Sequence, residues 1–460
     1  MEEKRNSFSG SIGFVLAAAG SAVGLGNIWR FPYLAAKDGG GIFLLVYLIL
    51  ALTFGFTLLV SEIAIGRKTK QSALTAYGKL NSKFKWVGVL ACIVPFMILP
   101  YYCIIGGWVL KYFVAFATGA GNAAAQDGYF TGFITDYFQP IIFDVIFLAA
   151  VAFIIYLGVN KGIESISKVL MPVLLVFVVA ISIFSLTIHG TDGRTGIEGL
   201  KVYVIPSFAG KSAKDIFIVI IDAMGQLFYS ISVAMGIMIA YGSYFKDDGN
   251  LMKSINQIEF FDTLVAFLAG VMIIPAVYVF IGEQGMENSG PGLMFIALPK
   301  VFSEMGFIGN IIGAVFFFMV LLAALTSAMS VLEAVVASLI DAFGWSRKKA
   351  TIIESVLALV IGIIICLGYN LLYFELKLPN GSTAQILDIM DYLSNNIFMP
   401  LVAISTCVLI GWIIKPKTII DEATKNGEKF GRKSLYIAMV KFVAPVLLFV
   451  LLLGSLGIIK

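Results

Sequence analysis

Apolar stretches of about 20 residues recur along the whole of this 460-residue chain, at 11–35, 41–66, 86–117, 141–158, 165–187, 216–241, 256–282, 309–340, 350–373, 387–414 and 434–458. A helix of about 20 residues matches the thickness of a bilayer's hydrocarbon, where only helices and closed barrels satisfy every backbone polar group. Eleven stretches, each longer than a barrel strand, predict an all-α polytopic membrane protein of 11 transmembrane helices, forming one transmembrane domain over 1–460. Charge is scarce, 13% against 59% hydrophobic residues, where soluble chains carry about a quarter. The basic residues gather in alternate connections: Lys4 and Arg5, Arg67 to Lys85, Lys161 and Lys168, Lys246 and Lys253, Arg347 to Lys349, and Lys415 to Lys433. By the positive-inside rule these face the cytoplasm, so the amino terminus is expected inside the cell membrane and the carboxyl terminus outside. The longer connections near 118–140, 188–215 and 283–308 fall on the outer side and carry few basic residues.

Several other classes are excluded. Cys92, Cys103, Cys366 and Cys407 all lie in apolar spans without metal-ligand spacing, and read as small buried hydrophobes. The one histidine, His189, sits in a polar loop, which leaves no histidine cluster for metal or catalysis. No nucleophile–base pairing or HExxH-type motif marks an enzyme. The net charge of +4 follows membrane topology and forms no nucleic-acid patch. The first span is too long for a leader's apolar core and has no small-residue cleavage site, so a membrane segment is expected there. None of these features sets an oligomeric state.

Two spans carry residues that a simple membrane helix does not need. In Gly20 to Pro32, G-S-A-V-G-L-G-N-I-W-R-F-P, the glycines Gly24 and Gly26 fall mid-span, followed by Asn27 and Arg30. They read either as a packing notch or as a break in the helix; unwound backbone at that depth is tolerated only where it is buried in protein or lines a cavity. Span six repeats the pattern, with Gln226, Ser230, Ser232 and Gly236 at mid-membrane. Its serines read either as hydroxyls bonded back to the helix or as ligands. Breaks in spans one and six, five spans apart, are the mark of an inverted five-helix repeat that holds substrate and ions near the midplane. Repeat one then covers about 11–187 and repeat two about 216–414, with an extra helix at about 434–458.

The stretches S-A-V-G-L-G-N-I-W-R-F-P, D-G-G-G-I-F at 38–43, S-E-I-A-I-G-R at 61–67 and L-T-S-A-M-S at 325–330 resemble the neurotransmitter:sodium symporter family over nearly the whole chain. Many members have twelve spans where this chain has eleven. The resemblance implies two sodium sites. The first takes the carbonyl of Ala22 and the side chains of Asn27, Ser230 and Asp262, completed by a substrate carboxylate. The second takes the carbonyls of Gly20, Val23 and Ala323 with the hydroxyls of Thr326 and Ser327. Oxygen-only sets of this kind suit a hard cation such as sodium. An amino acid is implied as substrate, its carboxylate at the N–H groups of Gly24, Leu25 and Gly26 and at Tyr102, where a half-helix dipole favours anions. Its ammonium meets the carbonyls of Ala22, Tyr229 and Ser230 and the hydroxyl of Ser232. Ile98, Tyr229, Met235, Ala328 and Val331 line the side-chain pocket, and their lack of charge points to a hydrophobic guest, aromatic or aliphatic.

The same resemblance implies gates: Arg30 with Asp391 outside, near Asp388, and Arg5 with Asp341 inside, supported by Phe8, Ser243 and Tyr244. Glu62, an expensive carboxylate in span two, is expected to meet backbone N–H groups at the break of span six. Gly162 and Pro172 mark where span five unwinds to let water reach the second sodium site. Asp262 stands where relatives commonly carry an amide; it reads either as a juxtamembrane charge or as a fixed negative charge that replaces chloride near Tyr47, Gln226 and Ser230. The expected function is sodium-coupled, chloride-independent uptake of a hydrophobic L-amino acid. A membrane sensor that binds the amino acid without transporting it is the alternative.

Overall fold

Nine helices among the described residues are long and apolar enough to cross a bilayer, and a tenth crossing is made by a pair, Ser11–Ala22 and Gly26–Lys37, bent by 52°. The structure is a computed structural model and describes residues 7–190, 192–206, 208, 211–282 and 290–459. The expected sixth span is divided more deeply than the first, into Ala213–Ser230 and Ile237–Tyr244, with six residues between. Neither piece alone is long and apolar enough to span, and the first carries Asp215 and Asp222. One two-residue hairpin, Leu376–Lys377 with Thr383–Ala384, interrupts the otherwise helical plan.

Burial sorts the helices into layers. Two-thirds of the apolar windows of Ser82–Ala117 and Leu251–Phe280 is buried, against one-third for Val159–Thr187. On that peripheral helix Val169, Val176 and Ile183 recur every seven residues and are all more than half exposed. A continuous apolar stripe of this kind is the face a helix offers to lipid. Inside, Ser82–Ala117 runs along Phe307–Phe343, and both broken pairs pack beside them.

The breaks follow from local sequence. After Ala22 the chain turns extended at Val23, with φ −76° and ψ 90°, and re-forms as a π-helical turn over Gly26–Arg30. Any side chain at Gly26 would place its Cβ 2.8 Å from the Tyr229 ring, so only glycine lets the two broken segments touch. In the second break Ser232, Ala234 and Gly236 all take positive φ, at 54°, 61° and 73°. For Ser232 and Ala234 that conformation costs on the order of 1–3 kcal/mol each, and tertiary contacts must offset it.

Candidate functional site

Those contacts begin with Glu62, whose carboxylate accepts the Ala234 N–H at 2.6 Å and so holds the second break open. Opposite, Ser232 Oγ donates to the Ser21 carbonyl at 3.0 Å, and Ser21 Oγ to Ser232 Oγ at 3.1 Å, tying the breaks together. Gln226 Nε2 donates to the Gly26 carbonyl at 3.0 Å from the other side.

Two oxygen clusters flank this junction. In the first, Asp262 Oδ1 accepts from Ser230 Oγ at 2.7 Å and from Asn27 Nδ2 at 2.8 Å, and Ser230 also reaches Asn27 Oδ1 at 3.1 Å. Tyr47 donates to Asp262 Oδ2 at 3.3 Å. All four side chains are buried, and Asp262 sits within helix Leu251–Phe280, one of those long and apolar enough to cross a bilayer. In the second, Ser327 Oγ lies 3.4 Å from Gly20 O, 3.1 Å from Ser21 O and 3.5 Å from Val23 O. Thr326 Oγ1 donates to Ala323 O at 3.0 Å, and its Cβ abuts Gly20. The donor sets are oxygen throughout: one contains a carboxylate, the other is neutral. Both fit a hard monovalent cation better than a transition metal.

Between the clusters lies a cavity of about 30 Å³. Ala22, Gly24, Leu25, Gly26, Ile98, Tyr102, Tyr229, Ser230, Ser232, Met235 and Val331 line it, as expected from sequence, together with Ser21, Asn27 and Ser327. Tyr102 Oη accepts the Leu25 N–H at 3.4 Å. Ala328 is buried but not part of the wall: Ser327 and Val331 stand four residues apart on the cavity face of the helix, and Ala328 is turned about 100° away. Ser21 was not singled out in the sequence; its only signal was a hydroxyl beside the expected carbonyl ligands Gly20 and Ala22. Among the described residues, no charged side chain lines the cavity.

The residues expected as gates lie toward the two ends of the bundle. At one end, the Arg30 guanidinium sits 6.0 Å from the Tyr229 ring, and Asp391 is within reach of its field but accepts its hydrogen bond from Asn395 at 2.6 Å. At the other, Asp341 accepts the Ser72 N–H at 2.6 Å, while its expected partner Arg5 lies outside the described residues. Phe8 packs edge-on against Phe14, Tyr241 and Tyr244 at that same end. Tyr244 in turn donates at 2.7 Å to Glu333, which Arg347 clamps with two bonds of 2.6 and 2.9 Å. Gly162 falls in a π-helical turn, Val159–Glu164, ahead of the helix containing Pro172. Met171 of that helix meets Gly20, and Glu164 accepts the Ser9 N–H at 2.8 Å, so this segment covers the second cluster from the Phe8 end.

A helical membrane protein with two broken segments joined at mid-depth, and oxygen clusters on both sides of a small uncharged cavity, has the architecture of a secondary transporter. The chain belongs to the sodium:neurotransmitter symporter family, which it matches over residues 5–126 and 139–460. It is 34% identical to an uncharacterized sodium-dependent transporter of Bacillus subtilis, YhdH, over 100% of this chain and 99% of that one. It is 25% identical to the human sodium- and chloride-dependent GABA transporter 2, covering 91% of this chain and 74% of that one. Among solved structures it resembles MhsT in complex with L-phenylalanine, at 34% identity and a TM-score of 0.85, covering 98% of this chain and 100% of that one. Sodium-dependent transport across a membrane, rather than catalysis, is the class of activity this family brings.

Proposed function

We propose that the protein imports a hydrophobic L-amino acid, coupled to two sodium ions and independent of chloride. The observation that carries this reading is the uncharged cavity at the junction of the two breaks, walled by Ile98, Met235 and Val331 and bordered by both oxygen clusters. Backbone N–H groups at the start of a half-helix suit a carboxylate, and the carbonyls that end the opposite half-helix suit an ammonium. An apolar side chain then has only the apolar wall left to occupy. The L-phenylalanine held by the related MhsT supports the same guest.

Chloride independence rests on Asp262. A chloride beside this carboxylate, about 4 Å away, meets a repulsion of roughly 4 kcal/mol even at an effective dielectric of 20. The carboxylate itself then balances the sodium charge.

The rest of the reading is architectural. The divided pair Ala213–Ser230 and Ile237–Tyr244 supplies the eleventh crossing, and spans one to five and six to ten form inverted repeats within one domain. The amino terminus lies in the cytoplasm and the carboxyl terminus outside the plasma membrane. Arg30 with Asp391 gates the outer side and Arg5 with Asp341 the inner, while unwinding between Gly162 and Pro172 opens the second sodium site to the cytoplasm. The test is counterflow of labelled amino acids in liposomes, with sodium or with choline, in chloride or in gluconate. Sodium-dependent exchange of phenylalanine or leucine, but not of glutamate or lysine, is expected. Binding of the amino acid without exchange would favour the sensor.

A further inference from the structure

Beside the start of helix Leu251–Phe280 lies a cavity of about 440 Å³ that takes no part in the machinery above. Lys253, Asn256, Gln257 and Phe260 follow one another on one face of that helix and are all exposed; Glu428 and Lys429, from the connection before the last helix, form the opposite wall. Phe260 is 61% exposed on a helix apolar enough to cross the bilayer, so its ring meets hydrocarbon. Lys253 lies seven residues earlier, about 10 Å nearer the helix start. The wall therefore passes from an aromatic ring through two amides to a cation, the order in which a phospholipid presents its acyl chain, ester oxygens and phosphate.

The cations here are available. Their neighbours are engaged: Asp247 takes Lys70 at 3.1 Å and Lys425 at 2.6 Å, and Glu259 takes Arg432 at 2.7 Å. Among the described residues, no carboxylate lies within 4 Å of the side-chain nitrogens of Lys253 or Lys429. Glu428 is the acid of the wall, and it accepts the Asn426 N–H at 2.9 Å.

We propose that this cavity binds the headgroup of an anionic phospholipid, with Lys253 and Lys429 on the phosphate, Asn256 and Gln257 at the ester level and the acyl chains along Phe260. The lipid then sits against a joint of three helices. Arg432 donates to Asn256 at 2.7 Å and to the Leu52 carbonyl at 2.9 Å, and its guanidinium lies 3.5 Å over the Phe56 ring.

The test is native mass spectrometry of the detergent-purified full chain, incubated with equal amounts of phosphatidylglycerol and phosphatidylcholine. Phosphatidylglycerol is expected to be retained preferentially, with Lys253→Gln and Lys429→Gln each lowering its retention about fivefold. Glu428→Gln should raise retention by removing the opposing charge, a gain that loss of folding cannot imitate. Lys83→Gln, an exposed lysine outside the cavity, should leave it unchanged. Equal retention of the two lipids, or a Lys253→Gln/Lys429→Gln double variant that holds phosphatidylglycerol as the parent does, overturns the proposal. Displacement of the lipid by an equal concentration of glycerol 3-phosphate or inorganic phosphate would assign the cavity to a free anion and overturn it as well.

Discussion

Ser230 and Asp262 share a hydrogen bond of 2.7 Å, which fastens the last residue of a half-helix to the interior of an unbroken helix. The bond sets a carboxylate directly behind Ser230 of the cavity wall, and the anion dependence of transport should follow from it. The parent is expected to take up substrate equally well in chloride and in gluconate. Asp262→Asn should lose uptake in gluconate and recover part of it in chloride. Parent uptake that collapses in gluconate would refute the proposed role of the carboxylate.

The second oxygen cluster makes a separate prediction. Thr326 and Ser327 supply two of its five proposed oxygens, and Ser327 already sits within 3.5 Å of two of the others. Replacing them with Val and Ala removes hydroxyls that no nearby carbonyl can substitute. The double variant should bind substrate more weakly, with the remaining sodium dependence carried by the first cluster alone; sodium-dependent binding at the parent's affinity would remove the site from this cluster.

Cavity size is tested at two positions. A Cβ on Gly24 would stand 2.7 Å from Ser327 Oγ and 3.1 Å from Tyr102 Oη, so Gly24→Ala should abolish measurable binding while the protein still elutes as a folded species. Val331→Phe fills the apolar wall, where overpacking costs roughly 1–3 kcal/mol. It should weaken phenylalanine binding about tenfold or more and alanine binding far less, and equal losses for both would take Val331 off the pocket wall.

A pH prediction comes from Asp38, in the short connection between the first two spans. Burial, reinforced by the charge of Asp222 and opposed by Lys37, pushes its carboxyl up to about 7. An acid whose pKa is raised on folding favours the folded state while protonated, and that advantage is lost as pH climbs from about 4 to about 7. Asp38→Asn removes the charge at every pH. Its melting temperature should exceed the parent's clearly at pH 8 and by much less at pH 5, measured by thermal unfolding in one detergent; a constant offset would deny the titration.

Much of this was readable from residue order alone. Apolar length places the helices because a bilayer permits few alternatives, and the glycines of the first break announce a departure from the helix. Other features carry no such mark. Ala234 takes a glycine-like conformation with no glycine present, because Glu62, 172 residues away, holds its N–H. Whether Ser327 or Ala328 faces the cavity depends on the rotation of one helix against its neighbours, which the pattern of an all-apolar span does not record. The tie between Arg67 and Glu422, a 2.8 Å pair separated by 355 residues, belongs to tertiary structure alone.

The bond between Glu62 and the Ala234 amide bears on how the molecule can move. A segment whose donor is already taken, with Ser232 and Gly236 on either side at positive φ, would have to break that bond to re-coil into helix. The kink in the second broken pair is thus built as a rivet rather than a hinge: in the proposed transport cycle each half-helix would swing as a stiff lever about a fixed fulcrum. In the proposed transport cycle the bending falls instead to the π-helical turn that contains Gly162, whose tie to the amino-terminal segment runs through the Glu164 side chain and not through a backbone amide of the turn.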